Sequence, residues 1–83
     1  MADSRRVGED LGAVLGLLVD EPEQLAVQAV PMRRATVFEV EAASGDLGKL
    51  IGRRGRTIRA LRTLLDCRAE VDGAQYGLEL LED

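Results

Sequence analysis

Residues 48–62 read Gly48-Lys49-Leu50-Ile51-Gly52-Arg53-Arg54-Gly55-Arg56-Thr57-Ile58-Arg59-Ala60-Leu61-Arg62, a glycine-bracketed basic turn that runs into an amphipathic helix. From Lys49 to Arg68 there are seven basic residues and one acidic residue, Asp66, so this stretch carries +6. The rest of the chain carries −10, within an overall charge of −4. Cations gathered beside a glycine-rich turn point to a local anion site, where field and geometry matter more than net charge. A solvated basic helix face would segregate charge in the same way, so charge alone does not separate the two.

The Gly-x-x-Gly spacing is weak by itself, since Gly45 and Gly48 share it with no function attached. Context gives Gly52 and Gly55 their weight. Glycine lacks Cβ, so main chain there can lie against a sugar-phosphate strand and adopt the positive φ of a tight turn. A helix starting near Gly55 or Arg56 presents unpaired N–H groups and its positive dipole end at the same point. Arg53 and Arg54 add charge-assisted contacts to phosphate oxygens, while Ile51 and Ile58 anchor the turn to the core.

Working outward, a short helix over about 46–51, started by Ser44-Gly45-Asp46, precedes the turn. The helix after it spans about 55–67, with Ile58, Leu61, Leu64 and Leu65 on one face and Arg56, Arg59 and Arg62 on another. Asp72-Gly73 signals a turn, and Tyr76, Leu78 and Leu80 alternate with polar or small residues in a last strand. Upstream, residues 24–30 and 35–42 read as strands joined by Pro31-Met32-Arg33-Arg34, with Phe38, Val40 and Ala42 on one face of the second. Pro31 suits an edge or a turn.

Val7, Leu11, Val14, Leu15 and Leu18 mark one face of a leading helix over about 5–19, capped by Asp3 or Ser4 and ended by Asp20-Glu21-Pro22. Gly8, Gly12 and Gly16 recur on its flank, each costing about 1 kcal/mol of helix propensity. Close approach by the chain's own sheet or by a second chain would account for them. The order α-β-β-α-α-β predicts an α+β domain, a three-stranded sheet with helices packed on one face.

Eighty-three residues make one small domain. Only Phe38 and Tyr76 are aromatic, so the core is aliphatic. Cys67 cannot form an internal disulfide; it reads as a small apolar residue near a helix end. With no run of 18 apolar residues and no hydrophobic region after Met1-Ala2-Asp3-Ser4-Arg5-Arg6, neither a membrane span nor a signal peptide is expected, and a cytoplasmic location follows by default. The absence of histidine and of any metal-ligand cluster argues against an enzyme, and no cofactor or metal is expected. Gly48-Lys49-Leu50 is not a P-loop, and the shortage of aromatics speaks against base-stacking sheets or OB-type barrels.

Ile51-Gly52-Arg53-Arg54-Gly55-Arg56-Thr57-Ile58 resembles the Ile-Gly-x-x-Gly-x-x-Ile segment that lies between two helices in KH domains. The element order resembles the type II arrangement, with a leading helix and strand before a β-α-α-β core at about 35–82. Leu18-Val19-Asp20-Glu21-Pro22-Glu23, Asp46 to Gly52, Gly55 to Ile58 and Ala60 to Leu65 together resemble the small bacterial KhpA family, a likeness that covers essentially all of residues 1–83. It implies a single-stranded RNA-binding protein, an RNA chaperone that forms homodimers or pairs with a KhpB-like (Jag or EloR) protein. Post-transcriptional regulation linked to cell-wall synthesis and cell shape is implied in the same way. Expected RNA contacts are Lys49, Gly52, Arg53, Arg54, Gly55, Arg56, Arg59 and Arg62, over a groove floor of Leu47, Leu50, Ile58 and Val40. The competing reading is a KH-fold protein–protein adaptor or dimerisation module with little RNA affinity of its own.

Overall fold

The computed structural model describes residues 4–82. Helix α1 spans Ser4–Gly16, strands β1 and β2 span Ala26–Pro31 and Thr36–Glu41, helices α2 and α3 span Ser44–Ile51 and Arg56–Asp72, and strand β3 spans Tyr76–Leu80. The expected order of elements is therefore the observed one. β2 lies at the centre of the sheet, antiparallel to β1 and parallel to β3, with Phe38 opposite both Ala29 and Leu78.

That register puts Val27, Ala29, Phe38, Val40, Tyr76 and Leu78 on one face, as the two-residue period of the strands requires. The helices cover this face. Val7, Leu11 and Leu15 come from α1, Leu50 from α2, and Ile58, Leu61, Leu65 and Ala69 from α3. Phe38 is completely buried and meets Tyr76 edge-on, with ring centroids 5.5 Å apart. The opposite sheet face is open and carries Glu39, Glu41 and Glu79.

Several boundaries differ from expectation. α1 stops at Gly16, not near residue 19, because Leu17 and Leu18 donate to the carbonyls of Val14 and Leu15 in a tightened last turn. Val14, within α1, and Leu18, beyond its end, both assigned to the inward face, are exposed. α1 begins at Ser4; Asp3, the other proposed cap, lies outside the described residues. α2 begins at Ser44, two residues early.

α3 runs five residues past its expected end, and Asp72-Gly73 is its terminus and cap, not a free-standing turn. Gly73, at φ 64°, donates to the carbonyls of Ala69 and Glu70. Cys67, read from the sequence as a small apolar residue near a helix end, sits instead well inside α3, with its side chain exposed. The hairpin loop is residues 32–35, closed by Met32 N–H to the Ala35 carbonyl, with Pro31 ending the edge strand β1.

The flanking glycines of α1 divide. At Gly8 a Cβ would come within 3.3 Å of the Phe38 ring, so close approach of the sheet accounts for it. Gly12 has ordinary room beside Val27, and nothing lies within 4 Å of a Cβ at Gly16.

Candidate nucleic-acid interface

The turn between α2 and α3 is one short 3-10 turn over Arg53–Gly55, interrupted by non-helical torsions at Arg54, and it is not buried. Gly52 sits at φ 78°, ψ 168°, a conformation essentially confined to glycine, and its N–H closes α2 on the Gly48 carbonyl at 2.8 Å. A Cβ there would lie 2.7 Å from the Thr57 backbone nitrogen, so sterics and torsion both demand glycine. Gly55, at φ 73°, ψ 19°, is left-handed but has space around it. Between them Arg54 is left-handed too, at φ 56°, ψ 26°, the only non-glycine residue with positive φ among those described. Such a residue costs on the order of 1 kcal/mol and persists only where its surroundings hold it.

Arg59 supplies the hold. One turn into α3, its guanidinium reaches back to donate to the Gly55 carbonyl at 3.2 Å and the Arg54 carbonyl at 2.8 Å. The planar fork suits two carbonyls side by side. Its sequence assignment as an RNA contact overlooked this bracing role, which depends on the loop doubling back. Arg62 likewise turns to the sheet and donates to the Leu78 carbonyl at 3.2 Å.

Lys49 is also engaged. Its ammonium lies 2.5 Å from an Asp20 carboxylate oxygen and 3.3 Å from one of Asp46. Hydrogen bonds to Asp20 and then Asp46 push the Lys49 pKa up. Asp46 itself is almost wholly buried and accepts the backbone N–H groups of Asp20 at 3.1 Å and Glu21 at 3.0 Å, which ties the α1–β1 connection to α2. The Asp20 N–H bond leads in holding its pKa below the usual carboxylate value, against the opposing effect of burial. Sequence reading took Asp46 only as part of a helix start, because its partners lie 25 and 26 residues away.

The side chains of Arg53, Arg54 and Arg56 remain. All three are exposed and form no hydrogen bond or ion pair with the described residues. They crowd around the start of α3, where no side chain caps the first turn. The expected floor residues lie beneath: Val40 and Leu50 have no accessible surface, Ile58 is nearly buried, and Leu47 is half-buried. Val40 and Leu50 therefore support the site from within the core. The open sheet face is a poor rival surface for a polyanion, being acidic and without an aromatic platform.

Among the described residues there is no group of side chains that could hold a metal ion, and no helix is long and apolar enough to cross a membrane.

An α-β-β-α-α-β mixed sheet, with the Gly-x-x-Gly turn joining its second and third helices, defines a KH domain of type II. Comparison with known proteins gives the particular family. Residues 8–80 match the family model described as "KhpA/KhpB, KH domain". RNA-binding protein KhpA of Chlamydia trachomatis is 40% identical over 75 residues, covering 90% of this chain and 96% of that protein. The protein of the same name from Treponema pallidum is 40% identical over 65 residues, 78% of this chain and 81% of its own. That of Streptomyces coelicolor reaches 50% over a shorter stretch of 48 residues, 58% and 61% of the two chains. The chain belongs to the KhpA/KhpB KH-domain family.

Proposed function

We propose that this protein binds single-stranded RNA by seating the sugar-phosphate backbone on the Gly52-Arg53-Arg54-Gly55 turn. It works as an RNA chaperone, in partnership with a KhpB-like protein, in post-transcriptional control linked to the cell wall and cell shape. One observation carries the RNA reading: a turn shaped by two positive-φ glycines and a left-handed Arg54 holds three unengaged guanidinium groups at the uncapped start of α3. The names of the relatives point the same way. Of the eight expected contacts, Arg53, Arg54 and Arg56 are the phosphate ligands, Gly52 and Gly55 give the backbone its close approach, and Arg59 shapes the turn. Lys49 and Arg62 contribute through field more than through contact.

Binding of a labelled oligoribonucleotide to the wild type and to the Arg53→Asp/Arg54→Asp double variant tests this. The variant loses more than tenfold in affinity while its circular dichroism and Tm stay unchanged. With three or four phosphates neutralised, log affinity falls with log salt at a slope of about −2 to −3. A folded double variant that binds as tightly as wild type sinks the reading. The adaptor alternative, favoured by the exposed Leu64 and Val71 of α3, then takes its place.

A further inference from the structure

β3 is an edge strand, and two hydrogen bonds fix which of its backbone groups are spent on the sheet. Thr36 N–H donates to the Gln75 carbonyl, and Leu81 N–H donates to the Val40 carbonyl. Odd-numbered residues of this strand therefore turn their N–H and C=O to β2, while Tyr76, Leu78 and Leu80 turn theirs to the edge. An uncovered edge offers a donor next to an acceptor at each such residue. At Leu78 that pattern is altered. Arg62, exposed on the flank of α3, donates to the Leu78 carbonyl at 3.2 Å. With the acceptor covered, the Leu78 N–H and the other guanidinium N–H groups leave this position with donors only.

We infer, on the reading that RNA is seated on the Gly52–Gly55 turn, that Arg62 sets which base the protein prefers. By covering the Leu78 carbonyl it selects bases with two adjacent acceptors, cytosine or guanine, over adenine and uracil. Cytosine presents N3 beside O2, and guanine presents O6 beside N7. Adenine sets its N6 amino group next to N1 and N7, and uracil separates O4 from O2 by the N3–H. Each of these two bases therefore turns a donor toward a position that holds no acceptor.

The placement of Arg62 suits a base more than a phosphate. It lies seven residues past Gly55, about 10 Å along α3 at the helical rise. That is within the span of the roughly four nucleotides such a turn holds. One turn further on, Asp66 and Glu70 line a cleft of about 430 Å³ against the start of β3. Their carboxylates repel phosphate, so the path of the strand from the turn is bounded near Arg62. Arg62 thus gives phosphate its field, and it is a base that meets the edge it covers.

Fluorescence anisotropy with labelled oligomers of cytidine, adenosine and uridine, equal in length, tests the inference. Wild type binds oligocytidine at least about tenfold more tightly than the other two, the discrimination expected of one good two-bond base contact. Guanosine placed within oligouridine raises affinity, and adenosine placed there does not. Arg62→Ala frees the Leu78 carbonyl to accept from the adenine N6 or cytosine N4 amino group, so the preference for cytidine over adenosine falls to about twofold or less. Arg62→Met, which keeps an apolar stem, takes its place if the alanine variant is misfolded. Arg53→Asp/Arg54→Asp weakens every oligomer alike and leaves their order unchanged. A wild type that binds all three equally, or a folded Arg62 variant that keeps the wild-type order, overturns the inference while RNA binding stands. A wild type that binds none of the oligomers overturns the inference and the RNA reading together.

Discussion

Lys49 lies between Asp20 and Asp46, with its ammonium charge matched by two carboxylates. Four residues further on, Arg53 begins a turn from which three guanidinium groups extend without partners among the described residues. In the sequence both belong to one basic tract, yet one fastens an acidic loop to α2 and the other is available to an anion. The difference is set by the backbone. Lys49 is on α2, one turn after Asp46 and on the side that meets the α1–β1 connection. Arg53 and Arg54 follow Gly52, whose torsion angles turn the chain away from that surface. Charge counted along a chain therefore overstates the charge a ligand can reach.

Four experiments break or sharpen this contrast. The largest effect is expected at the bend itself: Gly52→Ala combines a glycine-only conformation with a clash on the Thr57 nitrogen and destabilises the fold by about 3 kcal/mol. Gly55→Ala strains torsion alone and costs only about 1–2 kcal/mol. Denaturant titration of the two variants measures the gap, and equal losses would show that the bend is less constrained than its geometry implies.

Next comes the bracing fork. Arg59→Lys keeps the charge but cannot hold the Arg54 and Gly55 carbonyls together, and RNA affinity drops about threefold to tenfold, by analogy with other bidentate sites where lysine is a poor replacement. Wild-type binding by Arg59→Lys would reduce that residue to one more surface charge.

The Asp46 latch responds to acid. Its folded pKa is depressed, so its contribution is complete above the ordinary value near 3.8 and disappears as pH falls through the lower, folded value. Asp72, whose pKa is lowered first by the Tyr76 hydroxyl and then by Arg68, behaves in the same way. Wild-type Tm therefore declines as pH falls below about 4. Asp46→Asn starts with a lower Tm at pH 7 and shows a shallower decline, which thermal melts from pH 7 to pH 3 would reveal. An identical acid profile in the variant would remove Asp46 from the account.

The smallest effect is expected at Lys49. Lys49→Ala leaves RNA affinity within about twofold of wild type, because its charge is already matched, whereas Arg53→Ala and Arg54→Ala each cost more, since hydrogen bonds to charged groups contribute about 1.5–3 kcal/mol. A loss at Lys49→Ala as large as at the two arginines would erase the distinction between the regions.

Much of this fold was legible beforehand. Apolar periods located α1, α3, β2 and β3, a helix-start signal at Ser44-Gly45-Asp46 located α2, and Gly52 and Gly55 located the turn, since those signals are local; the 3-10 turn at Pro22–Gln24 was not foreseen. Helix ends were read less well: α1 unwinds after Gly16 in a tightened turn, and α3 continues through Arg68 and Asp72, which bond each other across one turn. The roles of Asp46 and Arg59 were missed for a different reason. Residue type and spacing announce a carboxylate or a guanidinium, but not that chain from 25 residues away, or a loop doubling back, delivers backbone groups to it.

The mixed sheet has one more consequence. Thr36 pairs with Tyr76, and the Leu81 N–H reaches the Val40 carbonyl, so the central strand takes its second neighbour from some forty residues downstream. During synthesis, at roughly 5–20 residues per second, the β1–β2 hairpin waits for several seconds with one edge unzipped. Phe38 lacks the Tyr76 ring throughout that interval, leaving the nascent chain with a sticky, half-built core. Replacing Tyr76 should accordingly delay maturation on the ribosome as well as loosen the finished domain.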